Sequence, residues 1–279
     1  MRRIILFVVA LVFSMATCSQ SRSAPAGQQI VPLEKKQSVF FGDDNTLDEY
    51  TLSNWSKDLP RIDNTKRYSA SETMLEQVEF KYYMQTNTRG DYKDELSTKI
   101  YRDVEERMQN RITYKYTSEG YLKSETLQNG KGILLSNLEY TYDRNGNRIS
   151  RVISGRGGAK QAETVYTFDT QGKMLTSQTN DVGGNPVSTT RYSYDRDGKL
   201  VGQQVLDNEG KVTSVTTAVW REGREISETK GPDGIVQMRI TNEYGVNGEL
   251  VKKTIENFQG ESKQITVYEY ELRSIRRQS

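Results

Sequence analysis

The side chains that most often carry out catalysis are scarce in this sequence of 279 residues. It contains no histidine, which removes the commonest general base and metal ligand, and its one cysteine is Cys18. The 37 Asp and Glu residues leave room for a carboxylate pair of the glycosidase kind, but no two of them stand out by spacing. The sequence therefore predicts a protein that is not an enzyme.

Cys18 follows a segment that is typical of export signals. Two arginines precede residues 4–15, which are almost entirely apolar and too few to span a bilayer comfortably as a helix. Met15-Ala16-Thr17-Cys18 resembles the lipobox of bacterial lipoproteins, although Met15 and Thr17 depart from the usual residues. The resemblance implies a signal peptide over residues 1–17 and lipidation of Cys18. The alternative is an ordinary secretory signal, with a candidate cleavage site after Ala26 that would remove Cys18 together with the signal.

Asp-rich phrases are the second feature that could do chemistry. Asp195-Arg-Asp197-Gly198 is similar to the opening of a calcium-binding loop, but Leu206 stands where the distal Glu ligand would be. Turn formation explains the same residues, because an Asp side chain can accept hydrogen bonds from the turn backbone and Gly adopts positive φ. We therefore expect no metal and no cofactor.

Net charge bears on the choice of partner. Removing residues 1–17 would take away two arginines and no acid, which brings the 39 basic residues down to 37, equal to the 37 acidic ones. A neutral chain offers no electrostatic footprint for nucleic acid. We therefore expect no nucleic-acid partner.

A repeat with a 26-residue period fills the C-terminal two-thirds of the chain. Its clearest copies are Tyr140-Thr-Tyr142-Asp143-Arg-Asn-Gly146, Tyr166-Thr-Phe168-Asp169-Thr-Gln-Gly172 and Tyr192-Ser-Tyr194-Asp195-Arg-Asp-Gly198. A second set of glycines lies half a repeat away, at Gly132, Gly158, Gly184, Gly210, Gly234 and Gly260. Each repeat thus has two turns, which predicts two antiparallel strands per repeat.

The predicted fold is all-β, an antiparallel meander of repeated β-hairpins that forms a curved open or partly wrapped sheet. Period-2 alternation places an aromatic ladder on one face of this sheet. In an open sheet Tyr270 would have a neighbour on one side at most, so we expect it to matter less for stability than Phe168. The residues expected to shape the repeats and their turns are Tyr142, Asp143, Gly146, Phe168, Asp169, Gly172, Tyr194, Asp195 and Gly198.

Changes in composition divide the chain into five segments. Residues 1–17 are the predicted signal peptide, and residues 18–38 are predicted to be the lipidated cysteine and a flexible tether rich in Ser, Pro, Gly and Gln. Residues 39–110 read as an irregular N-terminal β or capping segment. Residues 111–272 form the repeat array, and residues 273–279 form a basic tail.

The phrase Tyr192-Ser-Tyr194-Asp195-Arg-Asp-Gly198-Lys-Leu200 resembles the YD repeats of Rhs-type proteins. The resemblance covers residues 112–272 and implies long β-hairpin sheets that wrap into shells, and a surface location. We expect the β architecture and the surface location to carry over from that family, but not its toxin delivery. A weaker resemblance is to the aromatic hairpin repeats of choline- and glucan-binding surface proteins.

These observations predict a non-enzymatic lipoprotein of the bacterial cell envelope, held at the outer membrane or cell surface by its lipid. Its expected role is that of a β-repeat interaction protein with an unknown protein or glycan partner. The alternative is a carbohydrate-binding, cell-wall-binding or carbohydrate-processing module.

Overall fold

The computed structural model describes residues 28–57, 60–84 and 95–276, and their regular secondary structure is entirely β-strand. The predicted signal peptide and Cys18 lie outside the described residues. Over the described ranges, no helix is long and apolar enough to cross a membrane. The strands are β1 (Gln28–Phe41), β2 (Leu47–Trp55), β3 (Ile62–Ser69), β4 (Met74–Tyr82), β5 (Leu96–Arg102), β6 (Met108–Tyr116), β7 (Leu122–Asn129), β8 (Leu134–Tyr142), β9 (Arg148–Gly155), β10 (Lys160–Phe168), β11 (Met174–Asn180), β12 (Pro186–Tyr194), β13 (Leu200–Asp207), β14 (Val212–Arg221), β15 (Arg224–Lys230), β16 (Val236–Tyr244), β17 (Leu250–Asn257) and β18 (Ser262–Arg276).

The strands close into a barrel. Each strand pairs antiparallel with its neighbours in sequence, and β18 pairs antiparallel with β1, from Gln28 opposite Arg276 to Phe41 opposite Gln264. Every described strand therefore has a partner on both sides. The predicted all-β meander of hairpins is confirmed, and its sheet is closed. A barrel of 18 strands is wide enough to enclose a lumen.

The two rims of the barrel are built from different turns. β1 begins and β18 ends at one rim, called the terminal rim below, which also holds the turns that follow the even-numbered strands. The turns that follow the odd-numbered strands form the opposite rim. All the turns that contain Asp143, Asp169 and Asp195 lie at the terminal rim.

The hairpin turns owe their shape to an Asp or Asn and a Gly. The Asp143 N–H donates to the Asn147 carbonyl at 2.9 Å, and Gly146, at φ 83°, donates back to the Asp143 carbonyl at 3.2 Å. The Asp143 Oδ1 accepts from the backbone N–H groups of Asn145 and Asn147 at 2.9 and 2.8 Å. This is the short hairpin loop in which Gly supplies the left-handed position. At the last turn of the opposite rim, Glu261 at φ 47° takes that position in place of the predicted Gly260.

Alternate side chains lie on opposite faces of the sheet. On β8 and β10, Tyr140 and Thr164 are buried on the face that carries the aromatic ladder, whereas Glu139 and Val165 are exposed on the other face. The second face carries cross-strand ion pairs, such as that of Arg239 with Glu228 at 2.7 Å. It also holds three of the buried apolar side chains, Leu33, Ile100 and Leu206. The predicted aromatic ladder thus runs along one face of the barrel wall.

The first strand differs from the predicted tether. β1 begins at Gln28, within the segment 18–38, because β18 needs a partner to close the barrel and residues 28–41 provide it. The predicted capping segment 39–110 contains the same kind of hairpin, with Asp103 accepting from the backbone of Glu105 and Arg107 at 3.0 Å each. β18 likewise continues through Arg276, into the predicted basic tail.

Candidate functional site

Aromatic side chains edge the terminal rim, one at or near the end of each even-numbered strand. Five of them are tyrosines whose hydroxyl donates to the backbone carbonyl of the first residue of the preceding strand. We call this contact the tyrosine clamp. It joins Tyr82 to Ile62 at 2.8 Å, Tyr116 to Leu96 at 2.9 Å, Tyr142 to Leu122 at 2.8 Å, Tyr194 to Met174 at 3.0 Å and Tyr270 to Leu250 at 2.8 Å, and it spans 20 residues each time.

Burial strengthens the preference of two clamp hydroxyls, those of Tyr116 and Tyr270, for the protonated form. Removal from water raises the pKa of Tyr116 and of Tyr270 to about 12 each, because the charged phenolate is poorly solvated there. A phenol with such a pKa remains a hydrogen-bond donor throughout the physiological range. These two clamps therefore keep their donors over that range.

A second contact recurs on the same rings. In several repeats the residue just before an odd-numbered strand lies over the rim aromatic at or near the end of the next even-numbered strand. We call this residue the cover residue. The covered pairs are Arg61 over Tyr82 at 5.1 Å, Tyr121 stacked on Tyr142 at 4.9 Å, Lys173 over Tyr194 at 5.9 Å and Lys199 over Trp220 at 5.1 Å.

Both contacts are missing at β10. Its rim aromatic is Phe168, which has no hydroxyl for a clamp. The cover residue in this repeat is Asn147, which is short, and its side-chain amide donates to the Asp143 Oδ2 at 2.9 Å instead of reaching the ring. A cleft of about 520 Å³ occupies the place between the two turns; it is lined by Asp143, Asn145, Asn147, Ile149, Tyr166, Phe168, Asp169, Thr170, Gln171 and Gly172.

Two carboxylates border this cleft, which we call the Phe168 cleft. The Asn147 amide, together with the backbone N–H groups of Asn147 and Asn145, lowers the pKa of Asp143 below its ordinary value. The Asp169 Oδ1 accepts from the backbone of Gln171 and Lys173 at 2.8 Å each. The turns thus fix both carboxylates beside the aromatic rings.

The cleft combines aromatic, amide and carboxylate side chains. Tyr166 and Phe168 offer aromatic surface, and Asn145 and Gln171 offer amides. Both Asp side chains are already committed to turn hydrogen bonds. Among the described residues no group of three Asp, Glu, His or Cys side chains could hold a metal.

The structure brings together the repeat residues singled out in the sequence. Tyr142, Phe168 and Tyr194 end the alternate strands β8, β10 and β12, and each is followed directly by the Asp and Gly of its turn. Only the first two of these three turns border the cleft. The lipidation site proposed at Cys18 lies outside the described residues.

Sequence reasoning missed Asn147, although the sequence carries a signal for it. The cover residues in four successive repeats are Tyr121, Asn147, Lys173 and Lys199, and Asn147 is the one short side chain among them. The short side chain of Asn147 points to a cleft only when the structure shows which aromatic ring each cover residue lies over.

Comparisons with known proteins give distant likenesses. No protein-family model and no curated protein matches the chain. A crystal structure of TcdB2-TccC3 matches at 10% identity and a TM-score of 0.28, and covers 75% of this chain and 15% of that chain. A porin-like protein from Bacteroides uniformis matches at 9% identity and a TM-score of 0.37, over 85% of this chain and 96% of that one. A protein of unknown function from Bacteroides fragilis matches at 15% identity and a TM-score of 0.25, over 53% and 94% of the two chains.

TM-scores of this size do not indicate a shared topology. The chain also spans less than a sixth of the length of the TcdB2-TccC3 chain that it matches. The function is therefore inferred from the geometry of the barrel itself.

Proposed function

We propose that this chain is a non-enzymatic binding protein of the bacterial cell envelope, distantly related to YD-repeat proteins, whose binding site is the Phe168 cleft. The observation that carries the proposal is the interruption of a repeated pattern. Five rim tyrosines are clamped, Trp220 is covered by Lys199, and Tyr244 stacks on Trp220 and donates to Glu225, whereas Phe168 has none of these contacts and lies beside a cavity of about 520 Å³. Phe168 and Tyr166 are half-buried there among fixed polar groups, and aromatic surface with a few oriented polar groups is a feature of ligand sites.

Filling the cleft from within the chain tests this function. In Asn147→Lys the cover residue becomes the same as in the next two repeats, Lys173 and Lys199, so we expect the new side chain to lie over Phe168. Asn208→Lys adds the same charge at an exposed turn of the opposite rim. Envelope components retained by the wild type and by Asn208→Lys should be lost by Asn147→Lys. Equal retention by all three proteins would overturn the proposed site.

Membrane attachment through lipidated Cys18 is the second part of the proposal. β1 begins at the terminal rim, and residues 19–27 are the only chain between Cys18 and that strand. Since an extended residue spans at most about 3.6 Å, the start of β1 would stay within roughly 35 Å of the membrane. The partly exposed cross-strand ion pairs of the barrel, such as Arg239 with Glu228, suit a wall in contact with water, which supports attachment by a lipid.

Metabolic labelling with a palmitate analogue tests the anchor. We expect the wild type to be tagged and Cys18→Ser to remain unlabelled, because the several acyl chains of a lipoprotein are what would hold this chain stably at a membrane. Equal labelling of the two proteins would exclude lipidation at Cys18.

Carbohydrate binding or processing is the second candidate function. The observation that favours it is the pairing of aromatic rings with the amides of Asn145 and Gln171, which can hydrogen-bond sugar hydroxyls. Saturable binding of a cell-wall glycan that Asn147→Lys abolishes would support a carbohydrate module. Release of sugar from the same material would support processing.

A further inference from the structure

We infer that the Phe168 cleft binds an organic cation, a guanidinium or alkylammonium group that takes the place of the missing cover residue. The inference rests on the proposed function and names the chemistry of its ligand. Three of the four covered rings described above carry a cation, contributed by Arg61, Lys173 and Lys199. The barrel itself thus shows which groups this position accepts.

The neighbouring repeat shows how such a cation is held. The Lys173 Nζ lies over the Tyr194 ring and 3.1 Å from where a Cβ on Gly198 would be, so the ammonium rests against the next turn. In the Phe168 repeat the equivalent turn glycine is Gly172, and the atom nearest to its Cβ position is the Asn147 Oδ1 at 3.4 Å. The equivalent space is therefore bordered by an amide oxygen where the other repeat has a cation.

The charges around the cleft favour a positive ligand. Asp143 and Asp169 border it, and a cation over an aromatic face is attracted by the ring as well. Arg144, in the Asp143 turn, is exposed and does not line the cleft, and the other two basic side chains that flank the cleft in sequence are directed to other rings. Arg148 lies 4.1 Å from the Tyr140 ring centroid, and Lys173 covers Tyr194.

The Arg148 backbone carbonyl, which has no tyrosine clamp, is a hydrogen-bond acceptor for the ligand. In the clamped repeats a tyrosine hydroxyl donates to the carbonyl of the first residue of the preceding strand, and in this repeat that carbonyl belongs to Arg148. Phe168 brings no hydroxyl to it. A guanidinium lying on the Phe168 ring has several N–H donors for such an oxygen, whereas a neutral sugar offers no charge to the two carboxylates.

Isothermal titration of the purified protein with N-acetyl-arginine methylamide tests the inference, with the citrulline analogue as its neutral isostere. We expect the arginine probe to bind at least about tenfold more tightly than the citrulline probe, and its affinity to fall as salt is raised. Asn147→Lys should lose this binding, whereas Asn208→Lys should keep it. Lys173→Asn should create a second site over Tyr194 and raise the stoichiometry towards two.

Equal affinities for the two probes, no binding of either, or unchanged binding by Asn147→Lys would overturn the inference. Binding of N-acetylglucosamine in place of the arginine probe would also overturn it, and would leave the cleft as a glycan site. The proposed function fails by a different result, the retention of the same envelope components by Asn147→Lys and the wild type.

Discussion

The Tyr142 hydroxyl donates to the Leu122 backbone carbonyl, 20 residues earlier, at 2.8 Å. Tyr142 is the last residue of β8, and Leu122 is the first residue of β7. The contact ties the two open ends of one hairpin together at the terminal rim, beyond the ladder of backbone hydrogen bonds. Because the partners sit at fixed positions of a repeated phrase, the same tie recurs around the barrel.

Removing one clamp hydroxyl should weaken the fold modestly. We expect Tyr142→Phe to lower the free energy of unfolding by about 1 kcal/mol, the usual net worth of a hydrogen bond with one buried partner left unpaired. Urea denaturation measures the change. Tyr166→Phe is the control, since no hydrogen bond from the Tyr166 hydroxyl is found among the described residues; an equal loss in both variants would show that the clamp contributes nothing of its own.

Adding the missing hydroxyl should have the opposite effect. In Phe168→Tyr the new hydroxyl would stand in the same relation to Arg148, the first residue of β9, as the Tyr142 hydroxyl does to Leu122. We expect a gain of about 0.5–1.5 kcal/mol in unfolding free energy. The substitution Phe168→Tyr should add the same stability to the Tyr142→Phe variant as it adds to the wild type. A decrease in unfolding free energy in Phe168→Tyr would show that the new hydroxyl does not reach the Arg148 carbonyl.

The turn glycines should differ in their tolerance of alanine. Gly146 and Gly172 both have positive φ, which costs an alanine roughly 1–2 kcal/mol. A Cβ on Gly146 would also collide with the Tyr121 hydroxyl, whereas a Cβ on Gly172 finds its nearest atom at 3.4 Å. Gly146→Ala should therefore lower the urea midpoint more than Gly172→Ala, and Gln171→Ala should change it little. The reverse order of the two glycine variants would contradict the packing of Tyr121.

Barrel closure changes the expectation for the last strand. From the sequence, Tyr270 would be half covered at the end of an open sheet, but β18 pairs with both β17 and β1, and the Tyr270 hydroxyl is clamped to Leu250. We now expect Tyr270→Ala to lower the urea midpoint at least as much as Phe168→Ala, which borders a cleft. A clearly smaller effect of Tyr270→Ala would mean that the seam between β18 and β1 is open in solution.

Acid should weaken the Asp143 turn. The hydrogen bonds from Asn147 and Asn145 lower the pKa of Asp143 in the folded chain, so this carboxylate adds stability above the unfolded pKa of about 3.9. That contribution is lost as the pH falls through the lower folded pKa. Asp143→Asn does not titrate, so its urea midpoint should fall less than that of the wild type when the pH is lowered from about 5 to about 2. Parallel pH profiles of the two proteins would contradict the assignment.

The sequence by itself determined the hairpins of this protein. The 26-residue period, the alternation around Tyr140 and Tyr142, and the Asp143 and Gly146 turn follow from local chemistry, because a turn needs positive φ and a strand exposes alternate residues to opposite faces. Each of these requirements is met within a single hairpin. A sequence read in order contains all of them.

Only the tertiary structure decided the closure of the barrel and the position of the cleft. Residues 28–38 lack the alternation of the other strands, and β1 is a strand because β18, at the far end of the described chain, supplies its partner. The Phe168 cleft likewise depends on Asn147, which belongs to the preceding turn. Asn147 and Phe168 line the same cleft only because adjacent hairpins pack side by side. Contacts of this kind are set by which strands become neighbours, and that choice depends on strand pairing and burial over the whole sheet.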